Sequence, residues 1–188
     1  MNDLIVDSLR RRMRAMHSLW EEAVATMDVE QVNHVEREPV LPIAFSLFHY
    51  VRIEDDTSSV LGAGPVVYDE QWERRMGLTI ADHGKERTVD EMVGQRIGDY
   101  QAYQDYMNAV FAKTERWLAD LDPASLTEVI VARPFPAQIA STFSARVAGE
   151  VGITRLDGIE CWMYQHGLRH MGEIEHARAL VGLQGMTS

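Results

Sequence analysis

Four stretches of this chain place apolar residues at steps of three and four, and no stretch alternates polar with apolar over six residues. Steps of three and four lay one stripe along a helix, whereas a half-buried strand needs a period of two, so the pattern commits the chain to packed helices. The first stripe is Ile5, Leu9, Met13, Met16, Trp20, Val24 and Met27, a helix of about seven turns. Residues 28 to 40 lose the pattern and end in Glu38-Pro39, where the proline disfavours helical geometry at Glu38, so they read as a connection. From Leu41 to Leu61 the run LPIAFSLFHYVRIEDDTSSVL is apolar nearly all round in its first half, the mark of a helix buried among neighbours, with Pro42 suited to the first turn.

The next stretch, 62 to 87, contains Gly62, Gly64, Pro65, Gly77, His83 and Gly84 and reads as a long surface excursion with one short turn at Glu70 to Met76. Excursions of this length more often serve function than fill space. Thr88-Val89-Asp90-Glu91 is a capping box and predicts a helix of about 30 residues ending at Asp122-Pro123. Its stripe runs Val93, Ile97, Tyr100, Gln104, Met107, Phe111, Thr114, Leu118 and Leu121. Arg133-Pro134-Phe135-Pro136 cannot continue a helix, and an amphipathic piece from Gln138 to Glu150 reads as one short helix. The last helix starts near Thr154, with Asp157 completing a second capping box, and runs to about Leu183. Four long helices with one apolar face each, joined by long links at 28–40, 62–87 and 122–152, predict an all-α fold, a four-helix bundle with crossover connections in a single domain over residues 1–188.

Composition narrows the partners. The chain has 188 residues, 46% of them hydrophobic, enough for one core without a disulfide scaffold. Its formal charge is −11 and no basic cluster is interleaved with aromatics, which argues against a nucleic-acid partner. Arg10, Arg11, Arg12 and Arg14 stand beside Asp7, Glu21 and Glu22 and read as a solvated helix face. One cysteine, Cys161, excludes an intramolecular disulfide and suits the cytoplasm. The opening MNDLIVDSLRRR has no apolar run of a secretory signal, and no stretch has the roughly 18 uninterrupted apolar residues of a membrane span.

The chemistry concentrates in the last stripe: Leu156, Ile159, Met163, His166, His170, Ile174, Ala177 and Val181. An i, i+4 histidine pair shares one helix face with Cβ atoms about 5–6 Å apart, the separation two imidazoles need to hold one metal ion. Glu173 lies about 20° from His166 by helical rotation and a turn further on, placed either to hydrogen-bond a ligand or to act as the catalytic base. His49 falls within the apolar run of the second helix, where an unpartnered imidazole costs about 1–3 kcal/mol. A single histidine so placed is usually a hydrogen-bonded core residue, but three on inward faces point to a metal site in the helix core. Three neutral imidazoles leave open positions on the ion, as catalytic sites do, and admit Zn²⁺, Ni²⁺, Fe²⁺ or Mn²⁺.

Other residues read more plainly. His17, His34, His83 and His176 are off the inward stripes or in links and read as surface residues. Cys161 lies about 140° around the helix from His166 and reads as a packed thiol. Glu54, Asp55 and Asp56 read as a solvated helix end, with Asp56 nearest to the His49 face, and Glu160 as a first-turn acid favoured by the helix dipole. Tyr50, Tyr100, Tyr103, Tyr106 and Tyr164 read as core. There is no GxSxG, glycine-rich phosphate loop or hydrolase triad.

With LPIAFSLFHYVRIEDD in the second helix, DEQWERRMGL with TVDEM behind it, and the closing YQHGLRHMGEIEHARALVGLQG, the chain resembles the DinB (DinB/YfiT-like) metalloprotein superfamily over nearly its whole length. The resemblance implies a crossover four-helix bundle, frequently a homodimer, with a divalent metal held by His49, His166 and His170. Relatives include thiol S-transferases that use low-molecular-weight thiols and a mycothiol-dependent isomerase, so the leading expectation is a metal-dependent enzyme that activates a low-molecular-weight thiol cosubstrate for transfer to a small electrophile. A hydrolase using metal-bound water with Glu173 as base, and a non-catalytic metal-binding or stress-response protein, are the alternatives. The segment 133 to 152 departs from the family pattern and is expected to reshape the pocket.

Overall fold

Helix α1 (Asn2–Ala25) turns its stripe inward, burying Leu9, Met13, Met16, Trp20 and Val24. The computed structural model describes residues 2–37 and 39–186. Asp28 then forms a reciprocal capping box with Gln31 and starts a single turn, α2 (Val29–Val32), inside the stretch that lacks periodicity. The expected break at Glu38 lies outside the described residues. Helix α3 (Ile43–Val60) is buried on most sides, and Pro42 caps it from an extended conformation rather than sitting in its first turn. Within the excursion, Asp69 caps α4 (Glu70–Met76), and Gly77 ends it at a left-handed φ of 59°.

The long helix expected from Thr88 is broken. Its capping box forms, yet α5 (Val89–Met92) lasts one turn, and the long helix α6 (Tyr100–Ala119) restarts at a second cap, Asp99. The intervening backbone is claimed by other elements. Asn33 accepts from the Ile97 N–H and donates to its carbonyl, while Gly98 and Asp99 N–H groups both donate to the Met76 carbonyl. These tertiary hydrogen bonds outweigh a helical periodicity that carries two glycines, Gly94 and Gly98.

After a 3₁₀ turn (Pro123–Thr127), strand β1 (Val129–Ala132) leads to two short helices, α7 (Ala137–Ala140) and α8 (Phe143–Val147), where one is expected. Strand β2 (Gly152–Thr154) pairs antiparallel with β1 in the register Val131↔Ile153 and Ala132↔Gly152. The sequence reading contains no strand, so this two-stranded ribbon corrects it. Gly152 has φ 145°, and a Cβ there would lie 2.2 Å from the Val131 carbonyl oxygen.

Thr154 and Asp157 make the second capping box and open a continuous helical rod: α9 (Arg155–Gly158), a π-helical stretch (Ile159–Tyr164) and α10 (Gln165–Leu180). The protein is thus predominantly helical. Helix α3 packs on α6, on α10 and on the π-helical stretch, and α1 packs on α6 and α10, enclosing one apolar core. Among the described residues no helix is long and apolar enough to cross a membrane.

Two expected surface features are core. His17 is fully buried and stacked on Phe111, 3.9 Å between ring centroids. Its Nε2 donates to the fully buried Glu54 (3.1 Å) and its Nδ1 to Glu115 (2.8 Å). Burial alone would hold its pKa down, but the charge of Glu54 and bonds to both carboxylates raise it to about 9. Asp55, also fully buried, accepts from Lys113 Nζ (2.6 Å) and from the Val67 and Tyr68 N–H groups (2.9 Å), which pins the start of the excursion to α3. A polar triplet ending an apolar run reads as a solvated end, but only Asp56, paired with Arg52, is even partly solvated. Glu160 is drawn to Arg12 across the core edge at 2.9 Å.

Candidate metal centre

The spacing of His166 and His170 carries both imidazoles onto the α10 face that meets α3, where the His49 ring stands 5.3 and 4.9 Å from them between centroids. One ring nitrogen from each lies within 4.8 Å of the others. Tetrahedral coordination at 2.0–2.1 Å places ligand nitrogens about 3.3 Å apart, so small side-chain rotations bring the three to a single ion. The Nε2 atoms of His166 and His170 are already 3.0 Å apart, and two imidazole nitrogens that close need a positive centre, a proton or a metal ion, between their lone pairs.

Hydrogen bonds on the outer side of the rings set the tautomers. His49 donates Nδ1–H to the His83 carbonyl, which turns its Nε2 toward the pair. His170 donates Nδ1–H to Glu173 Oε2 at 2.7 Å, and Ser46 Oγ donates to the same oxygen at 2.9 Å. His166 Nδ1 is buried with no well-formed hydrogen bond, the Trp162 carbonyl being the acceptor that bears on it. Carboxylate and carbonyl acceptors behind metal-binding imidazoles raise their basicity toward the ion and fix ring orientation.

Electrostatics keep the lone pairs free. Burial, with the neighbouring imidazoles, lowers His49 to about 4 and His166 to about 2, so both are neutral at physiological pH. The bond from His170, ahead of its own burial, pulls the Glu173 carboxyl below its ordinary value. Glu173 therefore stands behind His170, held by it and by Ser46, a position that orients the His170 ring. The excursion supplies what sequence reading missed: His83 acts through its backbone carbonyl, which no side-chain pattern reveals.

Gly167 explains how closely the helices approach beside the site. A Cβ there would lie 2.3 Å from Met16 Sδ and 2.7 Å from the Tyr50 ring. Tyr50 in turn stands edge-on to His166, 5.7 Å between centroids. On the other side of the histidines a cavity of about 390 Å³ opens, lined by His49 and His166 and roofed by Ile139, Thr142, Phe143 and Ser144 from the α7–α8 segment. Residues of the segment 133 to 152 thus form part of the pocket. Cys161 also lines it, with burial pushing its thiol up to about 11, so it packs as a thiol although it shares the cavity with the histidines.

No family model matches the chain, and no curated protein matches it. Among solved structures it is similar to the conserved protein of a locus from Enterococcus faecalis, with a TM-score of 0.73 and 19% identity over 94% of this chain and 96% of that one. At this identity the likeness shows a shared fold.

Proposed function

We propose that the chain is a DinB-like four-helix bundle with crossover connections that binds one divalent metal ion through His49, His166 and His170 and activates a low-molecular-weight thiol for transfer to a small electrophile. The observation that carries the reading is the convergence of three imidazoles, two of them lining a cavity and two of them oriented by acceptors behind them. The four long helices and the long links between them support the bundle, and the single cysteine supports a cytoplasmic setting.

An ion held there would supply Lewis acidity, lowering the pKa of a thiol so that it gives its proton to solvent and is present as thiolate near neutral pH. The chain's residues do the rest. Burial keeps His49 and His166 unprotonated, His83 and Glu173 hold His49 and His170 in the binding tautomer, and the α7–α8 segment supplies part of the cavity wall. The thiolate sulfur then forms a bond to the electrophilic carbon, and the leaving group departs with its electron pair. Zn²⁺, Ni²⁺, Fe²⁺ and Mn²⁺ all suit this donor set. The hydrolase reading gains nothing from the structure, because among the described residues no carboxylate lines the cavity and Glu173 is engaged behind His170.

The test is metal content and affinity of untagged protein. We expect one divalent ion per chain and an affinity loss of at least 100-fold in His49→Ala, because the remaining pair on α10 gives no chelate from α3. Unchanged stoichiometry and affinity in that variant overturn the ligand set. Thiol-dependent consumption of an electrophile by metal-loaded protein, absent after chelation, tests the transfer step.

A further inference from the structure

The charge of the cavity is the opposite of the charge of the chain. Of 188 residues 29 are acidic and the formal charge is −11, yet among the described residues the cavity beside the histidines is lined by no aspartate or glutamate and by two cations, Lys85 and Arg169. Both cations are exposed at its edge and neither has an ion-pair partner among the described residues. Half of the 18 basic side chains, Arg12, Arg52 and Lys113 among them, hold carboxylates. Two free cations at the rim of one acid-free cavity, in so acidic a protein, leave an anion as the group that complements them.

The walls define the rest of the ligand. Ile53 from α3, Ile139 and Phe143 from the roof and Trp162 from the π-helical stretch present apolar and aromatic surface. The volume of about 390 Å³ sits at the small end of the range for small-molecule sites. His49 and His166 line the same cavity, and Arg169 is close enough for its charge to bear on His166.

We propose that this cavity selects a small organic carboxylate with an apolar body, its anionic end met by Arg169 and Lys85 and its body lodged against Phe143 and Trp162, in the cavity that the histidines also line. The selection rests on the metal reading only for what happens at the histidines. The carboxylate belongs either to the electrophile or to the thiol, and the chemistry at the rim is the same for both.

The probes are 3-(4-fluorophenyl)propionate and its neutral amide, followed by fluorine NMR at low ionic strength on metal-free and zinc-loaded protein. The acid is expected to bind at least tenfold more tightly than the amide in both forms. In the Lys85→Gln/Arg169→Gln double variant the acid should fall to the affinity of the amide while the amide is unaffected, and Phe143→Ala should weaken both. Both cations are exposed, so the double variant is expected to retain the parent's helical circular dichroism spectrum. Equal binding of acid and amide overturns the proposal, and so does an acid preference that survives the double variant, which would place the carboxylate on the metal or elsewhere.

Zinc stoichiometry is read on the same samples. A chain that binds zinc without preferring the acid loses the cavity proposal alone, and one that prefers the acid without binding zinc loses the metal reading alone. A last arm assigns the carboxylate on cobalt-loaded protein. If 3-mercaptopropionate produces thiolate-to-cobalt absorption at tenfold lower concentration than 2-mercaptoethanol, and the advantage vanishes in the double variant, the thiol carries the anion. Equal concentrations, together with the acid preference, place it on the electrophile.

Discussion

Replacing Glu54 with Gln should make the protein's stability depend on pH in a way that isolates the buried charge pair. Glu54 and His17 are both fully inaccessible to solvent. Glu54 accepts from His17, from Thr114 Oγ1 at 2.7 Å and from the Tyr50 hydroxyl, while His17 donates its other ring N–H to Glu115, itself paired with Arg14. Both ring nitrogens face carboxylates, so His17 is an imidazolium, and its pKa is raised from 6.5 to about 9 against the pull of burial. A raised pKa means that the folded protein holds a proton the unfolded chain releases: the stabilisation is complete below pH 6.5 and is lost as pH climbs through about 9. At about 1.36 kcal/mol for each tenfold change in proton affinity, this is on the order of 3 kcal/mol.

Glu54→Gln keeps the shape and removes the charge that most favours the imidazolium, leaving burial to push His17 down. The variant should therefore be about 3 kcal/mol less stable than the parent at pH 6 and approach it by pH 10, where His17 is neutral in both. Urea unfolding supplies the measurement, since at a slope of about 2 kcal/mol per molar the pH 6 difference appears as a midpoint shift of about 1.5 M. Only the difference between the two proteins is read, because His49 and His166 titrate in both and cancel. A gap that stays constant from pH 6 to pH 10, or a variant more stable at pH 6, would refute the assignment of His17 as a buried cation.

Glu173→Gln should retain the fold and weaken zinc binding 10- to 100-fold in competition with a chelator, because His170 loses the charged acceptor behind it; unchanged affinity would reduce Glu173 to a solvated acid. Gly167→Ala should lose about 1–3 kcal/mol in thermal unfolding despite the better helix propensity of alanine, since its methyl group would overlap Met16 and Tyr50; a gain in stability would disprove the close approach of α10 to α3. Without metal, stability should fall as pH drops below 6.5, because the unfolded chain takes up protons that His49 and His166, lowered to about 4 and about 2, refuse when folded. Excess zinc should oppose that loss, and a metal-free protein whose unfolding midpoint is flat from pH 7 to pH 5 would contradict the buried neutral imidazoles.

The sequence carried the parts of the fold that repeat and the parts of the site that project from regular helix. The stripe from Leu9 to Val24 is buried as read, and both capping boxes, Thr88/Glu91 and Thr154/Asp157, form. The three histidines come together because each lies on a helix whose inward face was legible from periodicity. Periodicity fails where a single distant bond decides. The stripe through Val93 and Ile97 is helical on paper, yet Asn33, 64 residues away in sequence, claims the Ile97 backbone and breaks the helix. His17 escapes the pattern for a related reason: a polar residue offset around the helix from an apolar stripe normally meets solvent, but here α3 and α6 deliver Glu54 and Glu115 to it.

The π-helical stretch explains the remaining gap between sequence and site. On an ideal α-helix the five residues from Cys161 to His166 turn through about 500°, leaving the two side chains about 140° apart, which hides Cys161 from the ligand face. A π-helical turn closes its hydrogen bonds from residue i to i+5 and so rotates less per residue, bringing positions five apart toward one side. Ile159–Tyr164 adopts that winding, and Cys161, Trp162 and His166 all line one cavity. The rod nevertheless stays in phase at both ends, with Ile159 and Met163 buried before His166 and His170 and Ile174 after them. Windings of this kind weaken a helix and recur at functional sites, and this one widens the wall that faces α7 and α8. The pocket therefore arises from a local change of helical winding that no stripe of apolar residues records, whereas the three histidines beside it lie in regular helix and could be read.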